Sequence, residues 1–270
     1  MVDRSRLVEN PDSQASSAGS LAADRRLAPS ELVLVRHAKS VGNLADERAR
    51  KEGRGRLELE TRDADTPLAE LGEEQAAALG RYLRGLDGSE LPDVVLSSPY
   101  ERARHTAEIA LETAGLEYRL VIDERLRERD LGVWDGLTRK GIEEKFPEEA
   151  ARRTRVGKFY YRAAGGESWC DVALRVRSVL SDIRTEYDSA KVWVFSHQAV
   201  IMSFRLVLES LDEATLLGID AENPLPNVSL TSYRRRADGA LHLAEYARTT
   251  HLSAADVPAT AEPPAAKEQP

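Results

Sequence analysis

Four short apolar runs punctuate the chain: residues 32–36 (LVLVR), 94–97 (VVLS), 119–122 (RLVI) and 192–195 (VWVF). The first and last are apolar almost throughout rather than alternating. A strand of that kind is covered on both faces, as strands of a parallel sheet are. Between the runs lie helix-period stretches at 68–86, 99–115, 168–187 and 199–209. The third carries the stripe Val172, Val176, Val179, Ile183 and Tyr187. Residues 228–235 and 240–246 flank Ala237-Asp238-Gly239 and read as a hairpin. Strands alternating with helices predict an α/β domain. Residues 44–65 are polar, with two glycines, and are expected to form a mobile loop; residues 146–167 show no strong period. The organisation expected is a disordered tail at 1–30, one domain at 31–252 and a second disordered tail at 253–270, both tails being rich in small and polar residues.

This pattern directs attention to particular residues. In open parallel sheets, ligands bind beyond the carboxyl ends of the strands. Arg36-His37 and Ser196-His197 stand there, on two different strands. The segment SSPYERARHTAE, 97–108, follows a third. In it Ser98 is a natural N-cap, Pro99 suits the first helical position and Glu101 completes a capping box. Arg102 sits one turn into that helix. In LRERDLGVWDG, 126–136, Glu128 is flanked by Arg125, Arg127 and Arg129.

Composition narrows the chemistry. The chain has 270 residues, 46 acidic against 38 Lys plus Arg, and a formal charge of −8. An acidic protein is a poor partner for nucleic acid or an anionic membrane, so an anionic ligand must be met by a local basic site. The single cysteine excludes an internal disulfide. No segment reads as a signal peptide or reaches the about 20 apolar residues of a membrane span. A cytoplasmic location is expected.

Each candidate has a plain structural alternative. Arg36-His37 would be a surface cation pair, Arg102 a solvated helix arginine, Glu128 one member of a salt-bridge network, and His197 a satisfied core histidine. Together they are two histidines, two arginines and a carboxylate at the ends of separate elements. That set suits phosphoryl transfer to histidine. Guanidinium groups pair with phosphate oxygens, a neutral imidazole attacks phosphorus, and a carboxylic acid protonates the leaving oxygen. The arginines and second histidine can supply the stabilising charge, so no metal and no cofactor is expected.

At this point the sequence resembles the histidine phosphatase superfamily, the phosphoglycerate mutase-like proteins, over residues 31–252. The resemblance rests on Arg36-His37-Ala38, Arg102 in SSPYERARHTA, Glu128 in LRERDLGVWDG, His197 in FSHQAV, and Asn43. Ala38 stands where the family has glycine, and Lys39 where an acidic or amide residue is common; Lys39 is expected to face solvent. The resemblance implies a three-layer α/β/α sandwich with a mainly parallel central sheet. It implies His37 as the nucleophile that becomes phosphohistidine. Arg36, Arg102 and His197 would clamp the phosphoryl group, Glu128 would donate the proton, and Asn43 would reach the phosphate.

Residues 146–169 and the SHQAV segment are similar to the fructose-2,6-bisphosphatase branch. That likeness marks Gln198, Tyr161 and Arg162 as substrate-binding. Gly165 and Met202 stand where two further cations would be. The basic run Arg152, Arg153, Arg155, Lys158 and Arg162 suggests a rim for a second anionic group, with Lys158 in contact with substrate. Arg48, Arg50, Lys51, Arg54 and Arg56 would cover the site from the other side. The function expected is hydrolysis of small phosphomonoesters such as sugar phosphates. The alternatives are a phosphoglycerate mutase, a phosphoprotein phosphatase, or a non-catalytic module binding a phosphorylated ligand. A homodimer is possible.

Overall fold

The strand ends are brought together by one sheet. The computed structural model describes residues 27–262; the expected disorder of 1–26 and 263–270 lies outside the described residues. The strands are β1 (Glu31–Arg36), β2 (Val94–Ser97), β3 (Val121–Ile122), β4 (Lys191–Ser196), β5 (Leu230–Arg235) and β6 (Leu241–Arg248). Their order is β3-β2-β4-β1-β5-β6. β3, β2, β4 and β1 run parallel, whereas β5 and β6 add antiparallel at one edge. Arg36 pairs in register with Ser196, so the residues that follow, His37 and His197, leave adjacent strands side by side.

Side-chain alternation along the strands makes the three layers. Leu32 and Leu34 of β1, with Val192 and Val194 of β4, pack against α6 (Trp169–Glu186) and α7 (Gln198–Leu208). Val33 and Val35, with Trp193 and Phe195, pack on the opposite face against α2 (Glu70–Arg84) and α3 (Glu101–Ala114). The apolar stripe on α6 is buried from Val172 to Ile183. This is the expected α/β/α sandwich with a mainly parallel sheet.

The differences from expectation are local. Residues 44–51, expected to belong to a mobile loop, lie in helix α1 (Val41–Lys51). Ser40 Oγ accepts from Asn43 N at 3.1 Å and Asn43 Oδ1 accepts from Ser40 N at 3.0 Å, a reciprocal cap. Only the small residues Ala45 and Ala49 are buried on α1, so its period is faint in the sequence. Residues 139–156 likewise form α4 (Arg139–Lys145) and α5 (Pro147–Val156), and α5 buries no side chain. After β4 and α7 comes α8 (Glu213–Glu222). The chain is also ordered beyond 252: α9 (Thr250–Ala254) is followed by an extended segment that makes side-chain hydrogen bonds as far as Glu262. The expected disorder therefore does not hold for 253–262, because buried amides of the domain bind this stretch.

One glycine sets the height of the loop after β1. A Cβ at Gly72 would lie 2.0 Å from the carbonyl oxygen of Lys39. The first turn of α2 therefore touches the loop after β1. Gly72→Ala is expected to lower stability by about 1–3 kcal/mol, the scale of overpacking. A drop in the urea midpoint with unchanged slope would show it; an unchanged midpoint would mean the loop moves freely.

Candidate active site

The loop after β1 is held from three sides. Ala38 N donates to Thr106 Oγ1 at 2.9 Å, Lys39 N to Gln75 Oε1 at 3.0 Å, and Asn227 Nδ2 to His37 O at 3.0 Å. His37 is buried, and its Nδ1 lies 2.7 Å from Ala38 O. A carbonyl can only accept, so Nδ1 carries the hydrogen. In the neutral ring Nε2 then holds a free lone pair. Burial, with Arg102 and Arg36 nearby, pushes the His37 pKa well below the usual imidazole value. The ring is neutral at physiological pH.

His197 enters from β4, wholly buried, with its ring centroid 5.2 Å from that of His37. Burial, then the charge of Arg102, lowers its pKa well below the usual value. Its Nε2 lies 2.8 Å from Ser98 Oγ, and its Nδ1 is buried with no hydrogen-bond partner among the described residues. Tyr100 packs edge-on against it at 5.4 Å. Ser98 is therefore not the N-cap of α3. The cap position is Tyr100, and the Ser98 hydroxyl accepts from Tyr100 N at 3.2 Å while meeting His197. Ser98→Ala would leave a buried ring nitrogen unpaired, which costs about 1–3 kcal/mol. Its expected signature is a lower melting temperature together with a raised KM. An unchanged KM would show that the hydroxyl does not hold the ring.

Two buried guanidinium groups stand by the rings. Arg36 is 1 % exposed and Arg102 5 %. Arg36 donates through Nη1 to Leu225 O and through Nη2 to Glu262 Oε1 at 2.6 Å. Arg102 donates through Nη1 to Asp63 O at 2.6 Å and through Nη2 to Asp63 Oδ2 at 3.3 Å. Its Cζ also lies 5.2 Å from the centroid of the Tyr100 ring. Each arginine is thus capped by a carboxylate of this same chain.

Glu128 completes the group. Its carboxylate accepts from Arg129 N at 2.7 Å, and burial raises its pKa, against a lowering by that hydrogen bond and by Arg102. It is not one partner in a salt-bridge network. Arg125 turns to Asp123 and Asp182, and Arg127 to Glu167. The loop is fixed from behind instead. Arg175 Nη1 donates to Arg125 O at 2.5 Å and Nη2 to Glu128 O at 3.3 Å, while Ser196 Oγ donates to Leu126 O at 2.8 Å. Trp134 stacks on Tyr161 at 4.8 Å beneath the same loop.

The remaining candidates divide. Asn43 Nδ2 points to the Glu262 carboxylate at 3.4 Å, the atom that Arg36 holds, so it shares the anion position. Gln198 Nε2 and Lys158 Nζ both donate to the buried carboxylate of Asp220, at 2.8 and 3.0 Å. They form a pair joined through Asp220 at the N-terminus of α7. Tyr161 is buried and its hydroxyl donates to Glu149 at 2.6 Å. Arg162 is exposed and stands 3.9 Å from Asp171. The structure therefore engages Tyr161 and Arg162 elsewhere in the fold. Lys39, expected in solvent, is buried and grips Glu47 at 2.9 and 3.0 Å. Two of the basic residues expected to cover the site are committed to neighbours: Arg50 pairs with Asp46, and Arg54 with Glu52 and Glu58. The side chain from that loop that does reach the site, Asp63 on Arg102, is acidic.

Sequence reasoning did not find Asp63, Ser98 in its real role, Gln75, Asn227 or Glu262. Only Thr106, four residues after Arg102 on one helix face, carried a signal, through spacing.

The arrangement can hold a tetrahedral dianion between Arg36, Arg102 and the two imidazoles, with the Glu128 carboxyl, its pKa raised by burial, at its edge. Comparison with known proteins agrees. Residues 32–246 match the model of the histidine phosphatase superfamily (branch 1). A bifunctional protein of Mycobacterium tuberculosis is 35 % identical over 183 residues, 67 % of this chain and 45 % of that protein. The chain thus spans less than half the length of that relative. Phosphoserine phosphatase 1 of Hydrogenobacter thermophilus is 29 % identical over 225 residues, 82 % of this chain and 98 % of that enzyme. Among solved structures, a mycobacterial glucosyl-3-phosphoglycerate phosphatase in complex with VO3 superposes with a TM-score of 0.60, 27 % identity and coverage of 81 % of this chain and 99 % of that one. With its motifs at the strand ends where the fold requires them, and a family match running through nearly the whole described domain, the chain belongs to the histidine phosphatase superfamily, branch 1.

Proposed function

We propose that this protein is a phosphatase that hydrolyses small phosphomonoesters through a phosphohistidine on His37. The observation that carries the reading is the pair of buried, neutral imidazoles 5.2 Å apart, set against two buried arginines and an acid of raised pKa. The relatives named as phosphatases, one of phosphoserine and one of glucosyl-3-phosphoglycerate, support a small metabolite as substrate.

In the first step Nε2 of His37 donates its lone pair to phosphorus and the phosphorus–ester oxygen bond breaks. The departing oxygen takes the proton of Glu128. Arg36, Arg102, His197 and Asn43 hold the equatorial oxygens, where charge accumulates. In the second step the Glu128 carboxylate accepts a proton from water as the water oxygen attacks phosphorus. The phosphorus–Nε2 bond then breaks, releasing inorganic phosphate and restoring neutral His37. Gln198 and Lys158, joined at Asp220, are proposed to meet the alcohol part of the substrate.

A panel of phosphorylated sugars, amino acids and glycerates tests the reading by release of inorganic phosphate. Phosphate transferred to another hydroxyl of a phosphoglycerate, with none released, would overturn it in favour of a mutase.

A further inference from the structure

The chain does not stop at the last strand. Beyond α9, Asp256 takes a left-handed backbone, φ 57°. Asp tolerates that region better than most residues, and here it turns the chain back. The residues after it, Val257-Pro258-Ala259-Thr260-Ala261-Glu262, run out over the loop that carries His37.

Two buried amides hold this stretch. Gln75 Nε2 donates to Pro258 O at 2.9 Å and to Thr260 Oγ1 at 3.0 Å. Asn227 N donates to Thr260 O at 2.7 Å, and Thr260 Oγ1 donates to Asn227 Oδ1 at 2.9 Å. Gln75 is 0 % exposed and Asn227 2 %. Without the segment, these contacts have no protein replacement. The same two side chains fix the catalytic loop, Gln75 through Lys39 N and Asn227 through His37 O. The segment and the nucleophile are therefore anchored on shared residues.

At its end, Glu262 Oε1 takes 2.6 Å from Arg36 Nη2 and 3.4 Å from Asn43 Nδ2. Those donors are the ones that the proposed reaction assigns to the phosphoryl oxygens.

We propose that residues 256–262 form a self-inhibiting strap, with the Glu262 carboxylate seated as a competitor in the phosphoryl position. The inference rests on the phosphatase reading of the site. A carboxylate brings one charge and two oxygens, whereas a phosphomonoester brings up to two charges and three free oxygens. Substrate therefore displaces the strap instead of being excluded. If the strap is seated in about nine molecules of ten, the apparent affinity of any phosphate ligand is about tenfold weaker than that of the open site.

The test uses the full chain and inorganic phosphate, titrated by calorimetry. It runs alongside steady-state kinetics on a phosphomonoester that the enzyme turns over. Glu262→Gln removes the charge that meets Arg36. It is expected to tighten phosphate binding about tenfold and lower KM in proportion, with kcat unchanged. Thr260→Val unhooks the strap while keeping Glu262, and should shift both in the same direction. Unchanged or weaker phosphate binding in Glu262→Gln overturns the strap, and so does a fall in kcat, which would place Glu262 in the chemistry. Phosphate binding needs no turnover. A failure of the strap therefore appears in an enzyme that still hydrolyses, whereas a failure of the phosphatase reading appears as bound phosphate with no hydrolysis.

Discussion

Alanine in place of His37 is expected to abolish hydrolysis, with a fall in kcat on the order of a millionfold, the scale that loss of a nucleophile brings. The size of the effect follows from the local structure. The proton on Nδ1 is fixed by Ala38 O at 2.7 Å, so Nε2 is the reactive atom in every neutral molecule. Burial and two arginines keep the ring neutral. The other imidazole of the site, His197, has its Nε2 engaged by Ser98. Phosphate should still bind to the variant through Arg36 and Arg102. Quenching in alkaline detergent, which preserves the acid-labile phosphorus–nitrogen bond, after brief mixing with labelled substrate should trap phosphoryl protein in the parent and none in the variant. Turnover retained by His37→Ala, with label still attached to protein, would move the nucleophile elsewhere.

Glu128→Gln is the second large effect. Loss of a positioned general acid costs about a hundred- to ten-thousandfold, and the loss depends on the leaving group. Alkyl phosphates, whose alkoxides leave poorly without a proton, should lose the full amount. Aryl phosphates should lose much less in the first step. An equal loss for both would remove Glu128 from the acid role. The pH profile supplies an independent reading. His37 acts as the free base, so activity falls as pH drops through its lowered pKa. Glu128 acts first as the acid, so activity falls as pH rises through its raised pKa. The alkaline limb should vanish in Glu128→Gln, while the acid limb stays.

Both predictions concern residues that the sequence pointed to directly. The reason is that each of these residues sits immediately after a strongly patterned element. Unbroken apolar runs at 32–36 and 192–195 identify buried parallel strands, and a parallel sheet exposes its carboxyl ends as one edge. His37 and His197 had to meet there, since β1 and β4 are neighbours in register. Arg102 followed from its place near the start of a helix after β2, and Glu128 from the family motif. Local chemistry sufficed because each residue needed only its own strand or helix to be placed.

Roles set by partners distant along the chain were not legible. Ser98 has the composition of a helix cap, yet its hydroxyl serves His197, 99 residues away. Lys39 has the look of a surface cation, yet Glu47 takes it on a helix whose capping box was hidden in a polar stretch. Tyr161 and Arg162 matched a motif, but Glu149 and Asp171 decided where their polar ends went. The clearest case is the C-terminal segment. Its sequence of Ala, Pro, Thr and Glu has no period and little apolar surface, so nothing within it requires order. What orders it are Gln75 and Asn227, up to 185 residues away, and Arg36 at 226. The sequence alone determined the sheet, the strand ends and the catalytic types of residue, because apolar periodicity and strand polarity act over a few residues. The tertiary structure alone decided which buried donors and acceptors found each other, because a hydrogen bond depends on the distance through space and not on the distance along the chain.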